Sequence, residues 1–249
     1  MDIYLANGIN DHMIEQEWDR VADNRFNMII REEDSSLSEI TEPYIMNSLI
    51  DEKAEKIIDC GCGVGHLSYL LSEKLHRDVI GIDLSGKSID LAIKHYGITD
   101  KRKYIKTSII DYAQNHINHF DACVANMVLM DLHDLDSNIQ AIGNLLKNQG
   151  QFSFTIIHPC FWPIYWNYFN EPWFNYQDEI YIKAPFKINE VIVGQTTHIH
   201  RPLEKYISLC QKTGFQIIEI KELYSPDIKE KSIYKYPRFL GFVCKKSEG

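Results

Sequence analysis

The chain has 249 residues, 45% of them hydrophobic, and a formal net charge of −9 with a sequence pI of about 5.6. That length buries one sizeable core, as a single domain or a domain with a lid. A phosphate-binding surface needs clustered Lys and Arg, and no long basic run exists, which argues against nucleic acid as a partner.

Residues 1–50 read as helices. EQEWDRVADNRF sets Trp18, Val21, Ala22 and Phe26 at helical spacing, and Thr41 before Glu42 and Pro43 reads as an N-cap with proline in the first turn. The pattern then alternates. Lys56–Asp59 (KIID) is a short buried strand, and HLSYLLSEKL puts Leu67, Leu70, Leu71 and Leu75 on one helical face. Asp78–Asp83 (DVIGID) is a second strand, followed by a helix with Ser85 as N-cap and Gly97 as stop. KYIK around Tyr104 is a third strand, Phe120–Val128 a fourth, DSNIQAIGNLLKNQG a helix closing on Gly150, and Gly150–Ile157 a fifth strand. Single helices between strands imply parallel pairing through right-handed crossovers. PLEKYISLCQKTG is a further helix stopped by Gly214, and FQIIEIKEL and FLGFVCKK are the last strands.

Between Ile157 and Arg201 lies a segment too long for an ordinary loop and dense in Phe, Tyr and Trp. It reads as a satellite core, a substrate lid, or both, with Trp162, Trp166 and Trp173 as candidate substrate-binding residues. The expected organisation is one domain: a helical lid over 1–50, a cofactor-binding core over 51–157, a lid insertion over 158–200, and a closing helix with the last strands over 201–249.

No stretch approaches the roughly 20 apolar residues of a membrane span, and the polar, acidic N-terminus does not read as a signal peptide. Six scattered cysteines favour a reducing cytoplasm. Cys60 and Cys62 are too close together for a zinc ribbon, so no metal is expected.

The stretch DCGCGVGHL carries the chemistry. Glycines after a first strand let backbone approach a ligand at a helix start. Here they are Gly61, Gly63 and Gly65, with Cys62 among them and His66 where a dinucleotide fingerprint has its third glycine. Asp59 stands just before the loop, an odd neighbour for an anionic pyrophosphate. A nucleoside that carries positive charge suits the site better, and S-adenosylmethionine is one. Asp83 closes the second strand about 20 residues on, where an acid accepts from ribose hydroxyls.

DCGCGVG, GIDLS, FDACVANMVLMDL and GQFSFTIIHP together resemble the class I S-adenosylmethionine-dependent methyltransferases, and within them the small-molecule enzymes of the ubiquinone and natural-product type. The motifs run from Ile57 to Pro159, and HRPLEKYISLCQKTGF is similar to the closing helix of such enzymes. The resemblance implies a three-layer α/β Rossmann-like sandwich. Its seven-stranded sheet is mostly parallel, with the last strand antiparallel and inserted near the edge. It implies that Gly61 and its neighbours contact the methionine part through backbone, that Asp83 binds the ribose, and that Leu84 flanks the adenine. Ser108, Ile109, Asn126 and Met127 complete the cofactor site. The family's adenine-contacting acid falls on Ser108, with Asp111 three residues later.

Direct methyl transfer needs the nucleophile held in line with the methyl, and a base only if the nucleophile arrives protonated. Candidates at strand ends are His158, Asp131 and His133, each with a structural alternative in capping or loop hydrogen bonding. His198 and His200 share a face in extended backbone; they read as packing, as substrate contacts with His200 the candidate, or as a metal pair for which no third ligand is evident. Tyr4 and Trp18 are candidates to close over the cofactor. The implied activity is transfer of a methyl group to N or O of a small molecule, by a monomer or homodimer, leaving S-adenosylhomocysteine. RNA or peptide methylation on the same core, a non-catalytic S-adenosylmethionine-binding protein, and a nicotinamide-dependent oxidoreductase are the alternatives. Asp59 and His66 count against the last.

Overall fold

Strands form where β-branched and apolar residues run together between glycine or acidic breaks, and helices where leucines recur at 3.6-residue spacing. The structure, a computed structural model, describes residues 3–49, 53–188, 191–225 and 235–248. Its elements are β1 (Tyr4–Leu5), α1 (Asp11–Ile30), α2 (Glu42–Leu49), β2 (Lys56–Cys60), α3 (His66–Lys74), β3 (Asp78–Asp83), α4 (Gly86–Tyr96), β4 (Arg102–Lys106), α5 (Ile109–Ala113), β5 (Phe120–Asn126) and α6 (Leu135–Leu145). There follow β6 (Leu146–Ile157), α7 (Trp162–Tyr165), β7 (Ile180–Ile188), β8 (Val191–His200), α8 (Leu203–Lys212), β9 (Phe215–Leu223) and β10 (Phe239–Lys246).

The main sheet has seven strands in the order β4-β3-β2-β5-β6-β10-β9. The pairs among β2 to β6 are parallel, and β10 runs antiparallel between β6 and β9. This is the implied topology, with the last strand inserted one place from the edge. Phe152, Phe154 and Phe242 fill the centre, the last two stacked at 4.5 Å between ring centroids. The strand order reverses at β2/β5, so a crevice opens beyond the carboxyl ends of these two strands. Among the described residues no helix is long and apolar enough to cross a membrane.

Three local expectations are corrected. Thr41 is not an N-cap: a wide π-helical turn, Ser36–Thr41, runs straight into α2, and Glu42 N donates to Leu37 O. Pro43 has no N–H to give the carbonyl four residues back, and the chain widens where it stands. The helix expected to close on Gly150 ends at Leu145 instead. Gly150 lies within β6 beside a register shift against β5, where a Cβ would come 2.8 Å from Lys147 O. Within the segment 158–200, β7 and β8 pair as an antiparallel hairpin. Tyr4–Leu5 adds to its edge as a strand, not a helix, and leaves Tyr4 exposed.

The hairpin and α1 form one cap. Glu17, buried on α1, accepts from Thr197 N at 2.6 Å and pairs with Lys183 Nζ at 2.7 Å. A second strap ties α1 to the core: Asp19 Oδ1 accepts from Ser85 Oγ at 2.6 Å and Lys87 N at 3.1 Å.

Candidate active site

A cavity of about 1020 Å³ lies under this cap, above the ends of β2, β3 and β5. It is as large as the biggest small-molecule pockets. One end is walled by the glycine loop, the other by α7 and the hairpin.

At the loop end, Gly61 packs against Val128, Gly63 faces open space at φ +52, and Gly63 N donates to Asp83 Oδ2 at 2.8 Å. Asp83 Oδ1 accepts from Ser85 N, also at 2.8 Å. Each carboxylate oxygen keeps a lone pair for a ligand hydroxyl. Asp83 opens on the cavity yet is shut off from bulk water, and that burial raises its pKa against the two backbone N–H groups. Asp59 is fully buried, takes the Ser68 hydroxyl at 2.6 Å, and is pushed up to about 7 by burial, with Asp83 and Glu42 adding to the rise. Glu42 is buried too and accepts from His66 Nδ1 at 2.7 Å. Cys62, Leu84, Ser108, Ile109, Asn126 and Met127 also line this end. Ser108 caps α5: its hydroxyl accepts from Asp111 N and donates to Asp111 Oδ2 at 2.6 Å. The two residues that competed for one role are therefore bonded to each other, and Ser108 is the one at the cavity. Met127 sits at φ +59, held by its N–H to Thr155 O at 3.1 Å.

At the far end Trp162 and Trp166 lie 5.1 Å apart, and the Trp166 ring meets the His198 ring edge-on at 5.6 Å. Asp131 and Thr196 complete this wall. Burial pushes the Asp131 carboxyl well above its ordinary range, with Arg201 opposing. Trp18 of α1 roofs the middle.

Five expected site residues stand elsewhere. Gly65, at φ +83, leaves the lining to pack on α4 and β4, where a Cβ would sit 2.7 Å from Ala92 Cβ and from Tyr104 Cε1. His158 follows Ile157 along the strand, and alternation turns it away from the cavity that Ile157 lines. Its Nδ1 accepts from Cys160 N at 3.3 Å, its Nε2 lies 3.7 Å from Glu222 Oε1, and burial lowers its pKa. His133 is engaged by Tyr181 OH at 2.9 Å outside the lining. Trp173 stacks on Tyr168 at 5.7 Å, and His200 bonds Tyr176 O at 3.0 Å within that same aromatic cluster.

Sequence reasoning passed over Glu42 and Thr41 as site residues and Arg201 as a brace. Arg201 is fully buried, pairs with Glu179 at 2.6 Å, and donates to the carbonyls of Leu129, Leu132 and His133. It thereby fixes the loop that carries Asp131. Only the two-residue alternation of TTHIH pointed to His198.

S-adenosylmethionine fits the loop end on the evidence of its walls. The open side of Gly63 leaves room, and the buried Thr41 hydroxyl has no partner among the described residues. The acids Asp59 and Glu42 suit a cation.

The family described as Methyltransferase domain matches residues 51–177, half of the chain. The chain belongs to that family. With its loop, acid and strand order, it stands among the class I S-adenosylmethionine-dependent methyltransferases. The mitochondrial ubiquinone biosynthesis O-methyltransferase of Bos taurus is 31% identical over 137 residues, which are 49% of this chain and 37% of that protein. The chain thus spans less than half the length of the curated relatives it matches. A Listeria monocytogenes crystal structure described as an S-adenosylmethionine-dependent methyltransferase superposes with a TM-score of 0.69 at 23% identity, over 84% of this chain and 97% of that one. Another is the Burkholderia thailandensis 1,6-didemethyltoxoflavin-N1-methyltransferase, bound to its acceptor and S-adenosylhomocysteine. Its TM-score is 0.60 at 13% identity, over 99% and 95% of the two chains. At these identities the likeness to both structures is one of fold.

Proposed function

We propose that this methyltransferase moves a methyl group from S-adenosylmethionine to an oxygen or nitrogen of a small, flat acceptor. The observation that carries the reading is the single cavity that joins the glycine loop and Asp83 to the Trp162–Trp166 wall. Relatives named for a ubiquinone-type O-methylation and a toxoflavin N1-methylation support a small ring-shaped acceptor.

Asp83 offers its free lone pairs to ribose hydroxyls, while Leu84 and Ile109 flank the adenine and Ser108 lies at its edge. Asp59 and Glu42 set negative charge beside the cationic end. When bound, S-adenosylmethionine supplies a methyl carbon made electrophilic by sulfonium. The chain's remaining task is positional: the indoles hold the acceptor flat, and the α1 roof keeps water out, which favours a near-attack geometry.

Calorimetry with S-adenosylmethionine, S-adenosylhomocysteine and NAD tests the cofactor, and binding of the first two raises the melting temperature by mass action. Methyl-labelled S-adenosylmethionine incubated with a small-molecule extract then reads the acceptor. Tight NAD binding, or label entering only RNA or protein, refutes the proposal.

A further inference from the structure

Besides the glycine loop and the tryptophan wall, the cavity has a third side. The second half of α1, the π-helical turn Ser36–Thr41 and the end of β7 build it, with Ile29 and Ile188 as apolar lining and Arg25, Ser36 and Lys187 as polar groups. Contacts draw these segments together. Arg25 Nη1 donates to Asp34 Oδ2, the guanidinium carbon lies 5.9 Å from the Phe186 ring centre, and Asp34 Oδ1 accepts from Leu37 N at 3.2 Å. Both Asp34 oxygens are thus engaged, while Arg25 Nε and Nη2 have no partner among the described residues. Those two nitrogens form one edge of the planar fork that a carboxylate meets through two parallel hydrogen bonds. The Ser36 hydroxyl and the Lys187 ammonium have no partner among the described residues either.

The strand is bent to serve this side. The β7–β8 register shifts between Phe186 and Lys187, and both neighbours line the cavity. Strict alternation would set one of them on the opposite face, and a bulge re-aims a side chain. Charge is sorted as well. Asp59, Glu42 and Asp83 crowd the loop end, whereas here Arg25 and Lys187 outweigh Asp34 by one positive charge. A carboxylate carries one negative charge and matches that excess, while a phosphate monoester, with about 1.5 to 2, overfills it. A cation or an apolar tail would strip water from these donors and return nothing.

Resting on the methyl-transfer reading above for what enters the cavity, we infer that this side is a carboxylate site. Arg25 Nε and Nη2 grip the two oxygens, and Ser36 and Lys187 are its further donors. Asp34 and the Phe186 ring hold the guanidinium in place for them. Two ligands of the reaction can bring that carboxylate: the amino-acid part of the cofactor, or an acid group on the flat acceptor. Recognition is the same chemistry in both. In the second case the carboxylate anchors the acceptor and is not the group that is methylated.

Calorimetry compares wild type with Arg25→Met/Asp34→Asn, Ser36→Ala and Lys187→Gln. The double variant avoids stranding a buried Asp34 charge, and the new amide oxygen still accepts from Leu37 N. The probes are S-adenosylhomocysteine and methylthioadenosine, which lacks the amino-acid part. Benzoate and its neutral match benzamide are then added to protein saturated with S-adenosylhomocysteine. If the cofactor brings the carboxylate, the double variant should bind S-adenosylhomocysteine about 10- to 150-fold more weakly and methylthioadenosine as wild type does. If the acceptor brings it, cofactor affinity should stay unchanged, wild type should prefer benzoate to benzamide, and the double variant should lose that preference. Lys187→Gln, at an exposed position, should weaken the same ligand about 1.5- to 5-fold at an unchanged melting temperature. A double variant that melts far below wild type leaves the decision to Ser36→Ala and Lys187→Gln. Wild-type affinity for both carboxylates in every folded variant overturns the site. Failure of wild type to bind S-adenosylhomocysteine at all is a different result, and it sinks the methyl-transfer reading together with this one.

Discussion

Asp59 is a carboxylate in a place that weakens the empty protein. Burial lifts its pKa from the usual 3.8 to about 7. At 1.36 kcal/mol per pH unit the gap is worth about 4 kcal/mol. The sign follows from proton binding: the folded state holds this proton more tightly than the unfolded one. Stability therefore falls as pH rises from 3.8 to about 7, and the full cost is present above that. Asp59→Asn removes the charge and keeps an oxygen for the Ser68 hydroxyl, at a cost of about 1–3 kcal/mol for an amide N–H left unpaired. The variant without ligand should gain about 1–3 kcal/mol at pH 8, roughly 3–10 °C in melting temperature for a chain of this size. At pH 5 only about 1.5 kcal/mol of the wild-type cost remains, so the gain should vanish there or reverse. Cofactor binding should move the other way. A cation beside Asp59 favours the ionised form, so wild-type affinity for S-adenosylmethionine should tighten as pH rises toward 7. Asp59→Asn should bind roughly 10- to 150-fold more weakly and lose that pH dependence. Chemical denaturation and calorimetry at pH 5 and 8 read both effects. A variant less stable than wild type at pH 8, or one with unchanged cofactor affinity, would refute the reasoning.

Asp83→Ala should weaken S-adenosylmethionine by about 1.5–3 kcal/mol through lost charge-assisted hydrogen bonds, and calorimetry showing no change would remove Asp83 from the ribose. Gly65→Ala and Gly63→Ala should separate packing from binding. The first drives a methyl into Ala92 and Tyr104 and lowers the melting temperature by the larger amount, whereas the second pushes a methyl into the open cavity and lowers cofactor affinity more; thermal melts with binding isotherms rank them. Trp166→Ala should leave cofactor affinity nearly intact and depress kcat/KM, and unaltered turnover in the stable variant would take that indole out of the acceptor site.

The core was legible because every signal there is local. The bounds of β3, β9 and β10 follow the sequence pattern residue for residue: Asp78 and Asp83 bound β3, Gly214 precedes β9, and β10 ends on Lys246. Ser85 caps α4 through its hydroxyl, and Gly97 ends it at φ +71. The hairpin was harder. Ile180, Ile182 and Ala184 alternate inward, yet Tyr, Phe and Trp crowd the stretch before them, and aromatic density reads equally as core or lid. The pairing that settles it joins Tyr4 to Lys183 and Glu17 to Thr197, contacts across most of the chain that no window of neighbours contains.

The same distinction governs the site. Its cofactor half gathers at the carboxyl ends of β2 to β5, places the sequence order of strands already marks, and of the residues expected there only Gly65 departs. The wall at the far end is assembled from α7, the β5–α6 loop and β8, and there sequence position does not say which histidine reaches the cavity. His158 held the expected place directly after a strand, but the strand's two-residue period sends Ile157 into the cavity and His158 toward Glu222. His198 and His200 share one strand face, yet the aromatic cluster around Tyr168 closes the cavity before it reaches His200. Of the three, His198 alone lines the cavity. A sequence records which residues carry an imidazole, while only packing records which of them reaches the cavity.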